Sequence, residues 1–200
     1  LLMCAYGRNL GATEQHTMRV IRSGDGGTTW TYLSEVPKPV ELTQHFVEGV
    51  MSPAGGNRVI MMVRADGDWI WQSTSEDNGS TWSAPTRRFP GSGRPDLLRW
   101  RNGAITVVCR DVVSYMRGIT ESRQGGIQMR TSRNDGLSWS TKEVPLMWRG
   151  FLYTAMIETE PNQALIVIGV DEAAGGGVSG IHSTYIADGS AITPLGPIAS

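Results

Sequence analysis

Arginine recurs in this sequence at places where it could grip an anion. Arg8, Arg64 and Arg110 each close an apolar run, and Arg94 and Arg149 each stand just ahead of one. A guanidinium is a planar fork of N–H donors that matches a carboxylate two-pronged. If the ends of these runs meet, the five arginines form an anion-selective mouth; the neighbouring acids Asp66, Asp96 and Asp111 could instead consume them in ion pairs. Proton transfer or nucleophilic attack at the same end would fall to Asp66, Asp111, Glu172 or Tyr153. Each of these four also reads as a group that stabilises its own loop. Trp69, Trp71 and Trp100 could stack on a sugar ring or fill a core, and the 110–124 segment, with Tyr115 and Arg117, is long enough to reach over a ligand.

Other chemistries find little support. His16, His45 and His182 are scattered, and Cys4 and Cys109 sit singly inside apolar runs. That gives no disulfide framework and no metal-ligand spacing, so neither a metal nor a cofactor is expected. With 18 basic residues against 19 acidic ones the net charge is −1, which offers no surplus for holding nucleic acid or an anionic membrane. No apolar run approaches the roughly 18 residues of a membrane span. No signal peptide opens the chain, and Leu1-Leu2-Met3-Cys4-Ala5-Tyr6 already reads as a buried strand, so the expectation is a chain that begins within a domain.

The elements that must position these side chains are organised by a repeat. Ser23-Gly24-Asp25-Gly26-Gly27-Thr28-Thr29-Trp30, Ser75-Glu76-Asp77-Asn78-Gly79-Ser80-Thr81-Trp82 and Ser132-Arg133-Asn134-Asp135-Gly136-Leu137-Ser138-Trp139 share one pattern, Ser-x-Asp/Asn-x-Gly-x-Ser/Thr-Trp, at a spacing of about 50 residues. The pattern predicts a hairpin turn: Asp25, Asp77 and Asn134 can accept backbone N–H groups, Ser23, Ser75 and Ser132 can do so more weakly, and Gly27, Gly79 and Gly136 supply positive φ. Trp30, Trp82 and Trp139 then start the return strand and bury a large ring. The acids of the turns are thereby assigned to structure.

Between the turns one strand order recurs. The second unit reads Phe46 to Ser52, Val59 to Val63, Trp69 to Thr74 and Trp82 onward; the third reads Asp96 to Trp100, Ile105 to Cys109, Ile127 to Thr131 and Trp139 to Val144. The fourth reads Phe151 to Ile157, Ala164 to Ile168 and Ile181 to Ile186, and the first has only Leu1 to Tyr6, His16 to Ile21 and Trp30 to Leu33. No segment carries a helical period. Four-stranded antiparallel units of about 50 residues, each too small to bury its own faces, predict an all-β fold and a β-propeller of about four blades, divided 1–36, 37–89, 90–145 and 146–200 within one domain. In such blades the repeated turns mark one rim. The opposite rim collects Arg8, Arg64, Asp66, Arg94, Arg110 and Arg149.

These turns and their period resemble the Asp-boxes, or bacterial neuraminidase repeats, of the sialidase (neuraminidase) superfamily. Leu1-Leu2-Met3-Cys4-Ala5-Tyr6-Gly7-Arg8, a short polar loop and Met18-Arg19-Val20-Ile21-Arg22-Ser23 are similar to that family's first blade, and the likeness runs to about residue 190. It implies a six-bladed propeller of which this chain holds part, other blades or domains belonging to a longer parent. It also implies a secreted or extracytoplasmic setting, and exo-acting hydrolysis of an anionic, sialoglycan-type sugar held by arginines. A Tyr serves that family as nucleophile, and Arg94-Pro95 resembles its Arg-Ile-Pro motif. Glu14 is the residue of the 9–15 loop that could stand in for the family's acid/base Asp. On this likeness Arg64, Arg94 and Arg110 would hold the sugar. A non-catalytic glycan-binding or structural propeller is the alternative.

Overall fold

The computed structural model describes residues 1–7, 16–39, 42, 45–65, 69–111, 127–141, 143–146, 151–170 and 180–187. They form fourteen strands in four antiparallel sheets, with no helix among the described residues. The first sheet has the order β1 (Leu2–Gly7), β2 (Thr17–Arg22), β3 (Thr31–Val36); the second β4 (Phe46–Pro53), β5 (Val59–Ala65), β6 (Trp69–Ser75), β7 (Thr86–Pro90). The third has the order β8 (Ser92–Arg99), β9 (Ile105–Arg110), β10 (Ile127–Ser132), β11 (Glu143–Leu146), and the fourth β12 (Phe151–Glu160), β13 (Gln163–Val170), β14 (Gly180–Ala187). The chain divides into two compact units, Leu1–Phe89 and Pro90–Ser200.

In the first unit, alternation along the strands delivers one apolar face per sheet to a shared core. Met18, Val20 and Val36 of the first sheet meet Phe46, Met61, Val63 and Trp71 of the second, with Leu2 and Cys4 packed at the margin. The sheets approach closely enough that a Cβ on Gly49 would stand 2.7 Å from Met18 Cε. In the second unit Leu98, Trp100, Val108, Ile127 and Met129 of the third sheet meet Ala164, Ile166, Ile168 and Ile186 of the fourth.

The octapeptides close as self-contained turns. Asp77 Oδ1 accepts the Thr81 N–H at 2.8 Å, Asp77 Oδ2 accepts the Thr81 hydroxyl at 2.7 Å, and Ser75 Oγ accepts the Gly79 N–H at 2.7 Å. Asp25 does the same with Thr29, and Ser23 with Gly27. In the third turn Asn134 Oδ1 accepts the Ser138 N–H at 3.0 Å, while its amide donates to Ser138 Oγ at 2.8 Å, reversing the polarity of the side-chain bond. Gly27, Gly79 and Gly136 have φ of 100°, 83° and 77°.

The return strands begin later than the tryptophans that were expected to open them. Trp30 and Trp82 turn their indole N–H back onto the carbonyls of Gly27 and Gly79 at 3.0 and 3.1 Å. In the second sheet one backbone bond follows, from Ser83 N–H to Thr74 O, and Pro85, with no N–H, delays β7 to Thr86. Conversely β8 starts at Ser92, so Arg94 lies within this strand and not ahead of it. Ser92 pairs with Arg110 and Asp96 with Val108, and the register shift between them absorbs Gly93, at φ 69°, and Pro95. β12 likewise extends beyond Ile157 to Glu160 before the Pro161-Asn162 turn.

Candidate functional site

Hydrogen bonds fix which strand ends share a rim. In the second sheet Asn78 N–H donates to Asn57 O at 2.9 Å, and Arg58 pairs with Glu76 at 3.3 Å, so the turn after β6 lies beside the turn after β4. In the second unit Arg99 pairs with Asp135 at 3.6 Å, and Asn102 Nδ2 donates to Asn162 Oδ1 at 2.9 Å. Away from these turns, the first unit holds the C-terminal end of β5 and the N-terminal end of β4, and the second unit, taken by itself, holds the C-terminal end of β9 and the N-terminal ends of β8 and β12.

In the first unit this end carries an ion pair and an aromatic cluster. Arg64 Nη1 donates to Glu48 Oε2 at 2.6 Å, with the carboxylate the more deeply buried partner. Glu48 is the extra residue of a bulge between the Val47–Arg64 and Gly49–Val63 pairs and takes φ 51°, a conformation that a side chain other than glycine adopts at a cost. Arg64 Nε is buried and has no hydrogen-bond partner. Beside this pair in sequence, His45 Nδ1 accepts the backbone N–H of His16 at 2.9 Å, which sets His45 as its Nε2–H tautomer. The His16 ring stands 4.9 Å from His45 and 5.9 Å from Tyr6. On β6 and β7, the Arg87 guanidinium lies 5.7 Å from the Trp69 ring and 5.2 Å from the Trp71 ring, so Trp71 is buried and capped by a cation.

In the second unit the end of the sheets away from its own turns gathers two arginines and one acid. The pairs Ser92–Arg110 and Asp96–Val108, with the common packing of Leu98, Trp100 and Val108, place Asp96 and Arg110 on one face of the third sheet, with Arg94 beside them on β8. Arg94 is exposed and Arg110 half-buried. Asp96 Oδ2 accepts the Met156 N–H of β12 at 2.7 Å, tying the first strands of the third and fourth sheets together. Burial pushes the Asp96 carboxyl above its ordinary range, against the opposing pull of the Met156 and Leu97 N–H groups and the Arg94 charge. Arg101 N–H donates to Glu158 Oε2 at 2.7 Å, so β8 and β12 run in the same direction. Arg94, two residues before Asp96, and Tyr153, three before Met156, consequently occupy the same end. Tyr153 is exposed, on the face of β12 that also carries Ala155 and Ile157. Asp111 is buried, and its charge and that of Arg130 act on Cys109; burial raises the thiol well above its ordinary value.

Of the residues singled out from sequence, Arg64, Arg94, Arg110, Asp111 and Tyr153 are thus placed, whereas Arg8, Glu14, Asp66, Tyr115, Arg117, Arg149 and Glu172 lie outside the described residues. Two charged side chains at these strand ends escape sequence reasoning. Glu48 could have been flagged as a charge inside the apolar run Phe46 to Ser52. Asp96 reads from sequence only as a local partner for arginine, because its bond to a backbone 60 residues away has no local signature. Among the described residues no three His, Cys, Asp or Glu side chains converge to hold a metal ion.

No known family model matches the sequence, and no curated protein matches it. Solved structures do. A protein of unknown function from Dyadobacter fermentans superposes with a TM-score of 0.72 at 18% identity over 90% of this chain and 48% of that one. The Hadza microbial sialidase Hz136 gives 0.67 at 15% identity over 92% and 41%. An α-L-arabinanase of Penicillium chrysogenum complexed with arabinobiose gives 0.60 at 14% identity over 84% and 54%. The likeness is one of fold. The chain spans about half the length, or less, of these structures.

Proposed function

We propose that this chain carries part of a sialidase-like glycoside hydrolase built on a β-propeller, acting from the chain end on an anionic sugar such as sialic acid, in a secreted or extracytoplasmic setting. The observation that carries the reading is the convergence of Arg94 and Arg110 at one end of the third sheet, with β12 tied alongside through Asp96. Two guanidiniums on the adjoining ends of β8 and β9 can grip a sugar carboxylate two-pronged. The likeness to solved sialidase and arabinanase structures supports a glycosidase scaffold.

In this reading the carboxylate of the sugar docks on Arg94 and Arg110. Asp96 is a positioning residue: its bond to the Met156 N–H sets β8 against β12, which brings the strand end carrying Arg94 beside the strand end carrying Tyr153. The Tyr153 phenol is the candidate nucleophile at that end, suited to an anionic substrate because a carboxylate in its place would be repelled.

One observation favours non-catalytic glycan binding. The described carboxylate on the arginine-bearing face, Asp96, is already engaged by a backbone N–H and does not stand as a free proton donor. Hydrolysis of a fluorogenic sialoside by the whole chain, compared with glycan binding, separates the two. Turnover above background that is abolished in Arg94→Ala/Arg110→Ala supports the hydrolase. Binding of sialylated glycans without turnover, lost in the same double variant, replaces it by the binding reading. Neither signal refutes both.

A further inference from the structure

Arg94 rides on a stretch of β8 that the strand ladder does not hold. Between the Ser92–Arg110 and Asp96–Val108 pairs β8 advances from residue 92 to 96 while β9 moves only from 110 to 108, so Gly93, Arg94 and Pro95 bulge out of register, and Pro95 has no N–H to give. Arg110 is the last residue of β9 paired with either neighbour among the described residues. Something other than the ladder must therefore set the distance between the two arginines. On one side of the bulge the anchor is Asp96, through the Met156 N–H. On the other side it is Gln128 of β10, whose amide nitrogen donates to Pro90 O at 2.5 Å and to Arg110 O at 3.3 Å. Pro90 is the first residue of the second unit and stands two residues ahead of β8. One side-chain nitrogen thus holds both the entry to the Arg94 bulge and the carbonyl of Arg110 itself.

We propose that Gln128 is a positioning residue that sets the spacing of Arg94 and Arg110, and with it the width of the anion grip they form. The role rests on the reading of those two arginines as the site for a sugar carboxylate. Placement is the first argument. Ile127 and Met129 pack toward the fourth sheet, on the face that Asp96 and Arg110 share, and alternation along β10 turns Gln128 to the reverse face, across from Cys109. Gln128 therefore acts on the backbone from behind, and a ligand seated on the arginines does not touch it. Chemistry is the second argument. Both partners are carbonyl oxygens, so the residue must donate twice; a primary amide does so from one nitrogen without a charge, whereas a glutamate of the same shape would be a buried anion with nothing to donate. Burial is the third. Gln128 is 1% exposed, so bulk water cannot stand in for the amide if it is removed. Two-pronged recognition tolerates misplacement of about 0.5 Å, so a shift at either carbonyl is felt in the grip.

Titration of the whole chain with a sialylated glycan, carried to millimolar concentration, tests this on Gln128→Met, which keeps the length of the side chain and removes both donors; circular dichroism and the unfolding midpoint control for folding. The expected result is a loss of affinity of about tenfold or more that vanishes in an Arg110→Ala background, where no pair is left to space. Gln128→Asn keeps an amide but is too short to span both carbonyls. It should fall between the native chain and Gln128→Met, and it carries the test if Gln128→Met does not fold. Unchanged affinity in a folded variant overturns the positioning role and leaves the arginine site standing. Equal losses in the native and Arg110→Ala backgrounds overturn it in favour of a side chain that only supports the fold. A native chain that binds no sialylated glycan refutes the arginine site itself, and the role of Gln128 falls with it.

Discussion

Replacing Gly79 by alanine probes how the repeated turn seats one sheet against another. Gly79 has φ 83°, and a Cβ there would stand 3.2 Å from Leu2 Cδ1, 3.6 Å from the Trp82 ring and 3.7 Å from Leu33 Cδ2. Its carbonyl also accepts from the Trp82 indole N–H and from the Ser34 hydroxyl, which in turn accepts the same indole N–H at 3.1 Å. A left-handed conformation costs an alanine about 1 kcal/mol relative to glycine. Overpacking against Leu2 Cδ1, which packs at the margin of the core between the first two sheets, adds about 1–2 kcal/mol, while Leu33 stays in ordinary contact. Gly56 is the matched control, with φ 61° and nothing within 4 Å of a built Cβ, so Gly56→Ala bears only the conformational cost. In urea and thermal unfolding followed by tryptophan fluorescence, Gly79→Ala should exceed Gly56→Ala by about 1–2 kcal/mol. For a unit of this size that difference is a further fall in Tm of roughly 4–15 °C. If the two variants destabilise equally, the turn is a local hairpin with no part in joining the sheets, and the packing argument fails.

Further predictions concern charge and reactivity. Arg94→Ala/Arg110→Ala should weaken binding of a sialylated glycan by tenfold or more in a titration, while a neutral glycan of the same size is unaffected. Hydrogen bonds from Thr81, its backbone N–H first, hold Asp77 down to about 2, so the charged turn stabilises the fold above the ordinary carboxylate range. That contribution is lost as pH falls from about 4 through 2, and Asp77→Asn should flatten acid unfolding across this window and lower the neutral-pH midpoint by the contribution of the ionised carboxylate. Cys109 is fully buried and its thiol is held protonated, so a thiol reagent at pH 8 should label Cys4 alone in the native protein and both cysteines in urea.

Local physics made much of the fold readable. The turn octapeptides are closed by partners within four residues of one another, so residue identities at Ser75, Asp77, Gly79 and Thr81 specify the bonds directly. Strand runs such as Val59–Ala65 announce themselves because β5 is buried on both faces. What stayed hidden depends on distant chain. Pro95 argues for a link ahead of β8, yet the strand passes through it because a bulge opposite Cys109 releases that position from the ladder. Arg64 stood out at a strand end, but its ion pair with Glu48 needs a non-glycine residue at positive φ, which no residue preference foretells.

The third turn bears on the site as well. Asn134 replaces an aspartate and keeps the same acceptor bond at 3.0 Å, so the motif needs an oxygen at this position and not a charge. Its acids are thus turn components, and any anion chemistry must come from the other strand ends. There β5 and β9 present the same solution, an arginine closing the second strand opposite a bulge in the first. The bulges differ in what they carry: Glu48 neutralises Arg64, whereas Gly93-Arg94-Pro95 adds a second cation beside Arg110. Equivalent positions therefore carry opposite tasks. Removing Glu48 should create anion affinity at Arg64 where the native chain has little, and Glu48→Ala measured against Arg110→Ala by titration with a sialylated glycan would show a gain in one and a loss in the other. Equal losses would mean that Glu48 aligns Arg64 for the ligand instead of restraining it.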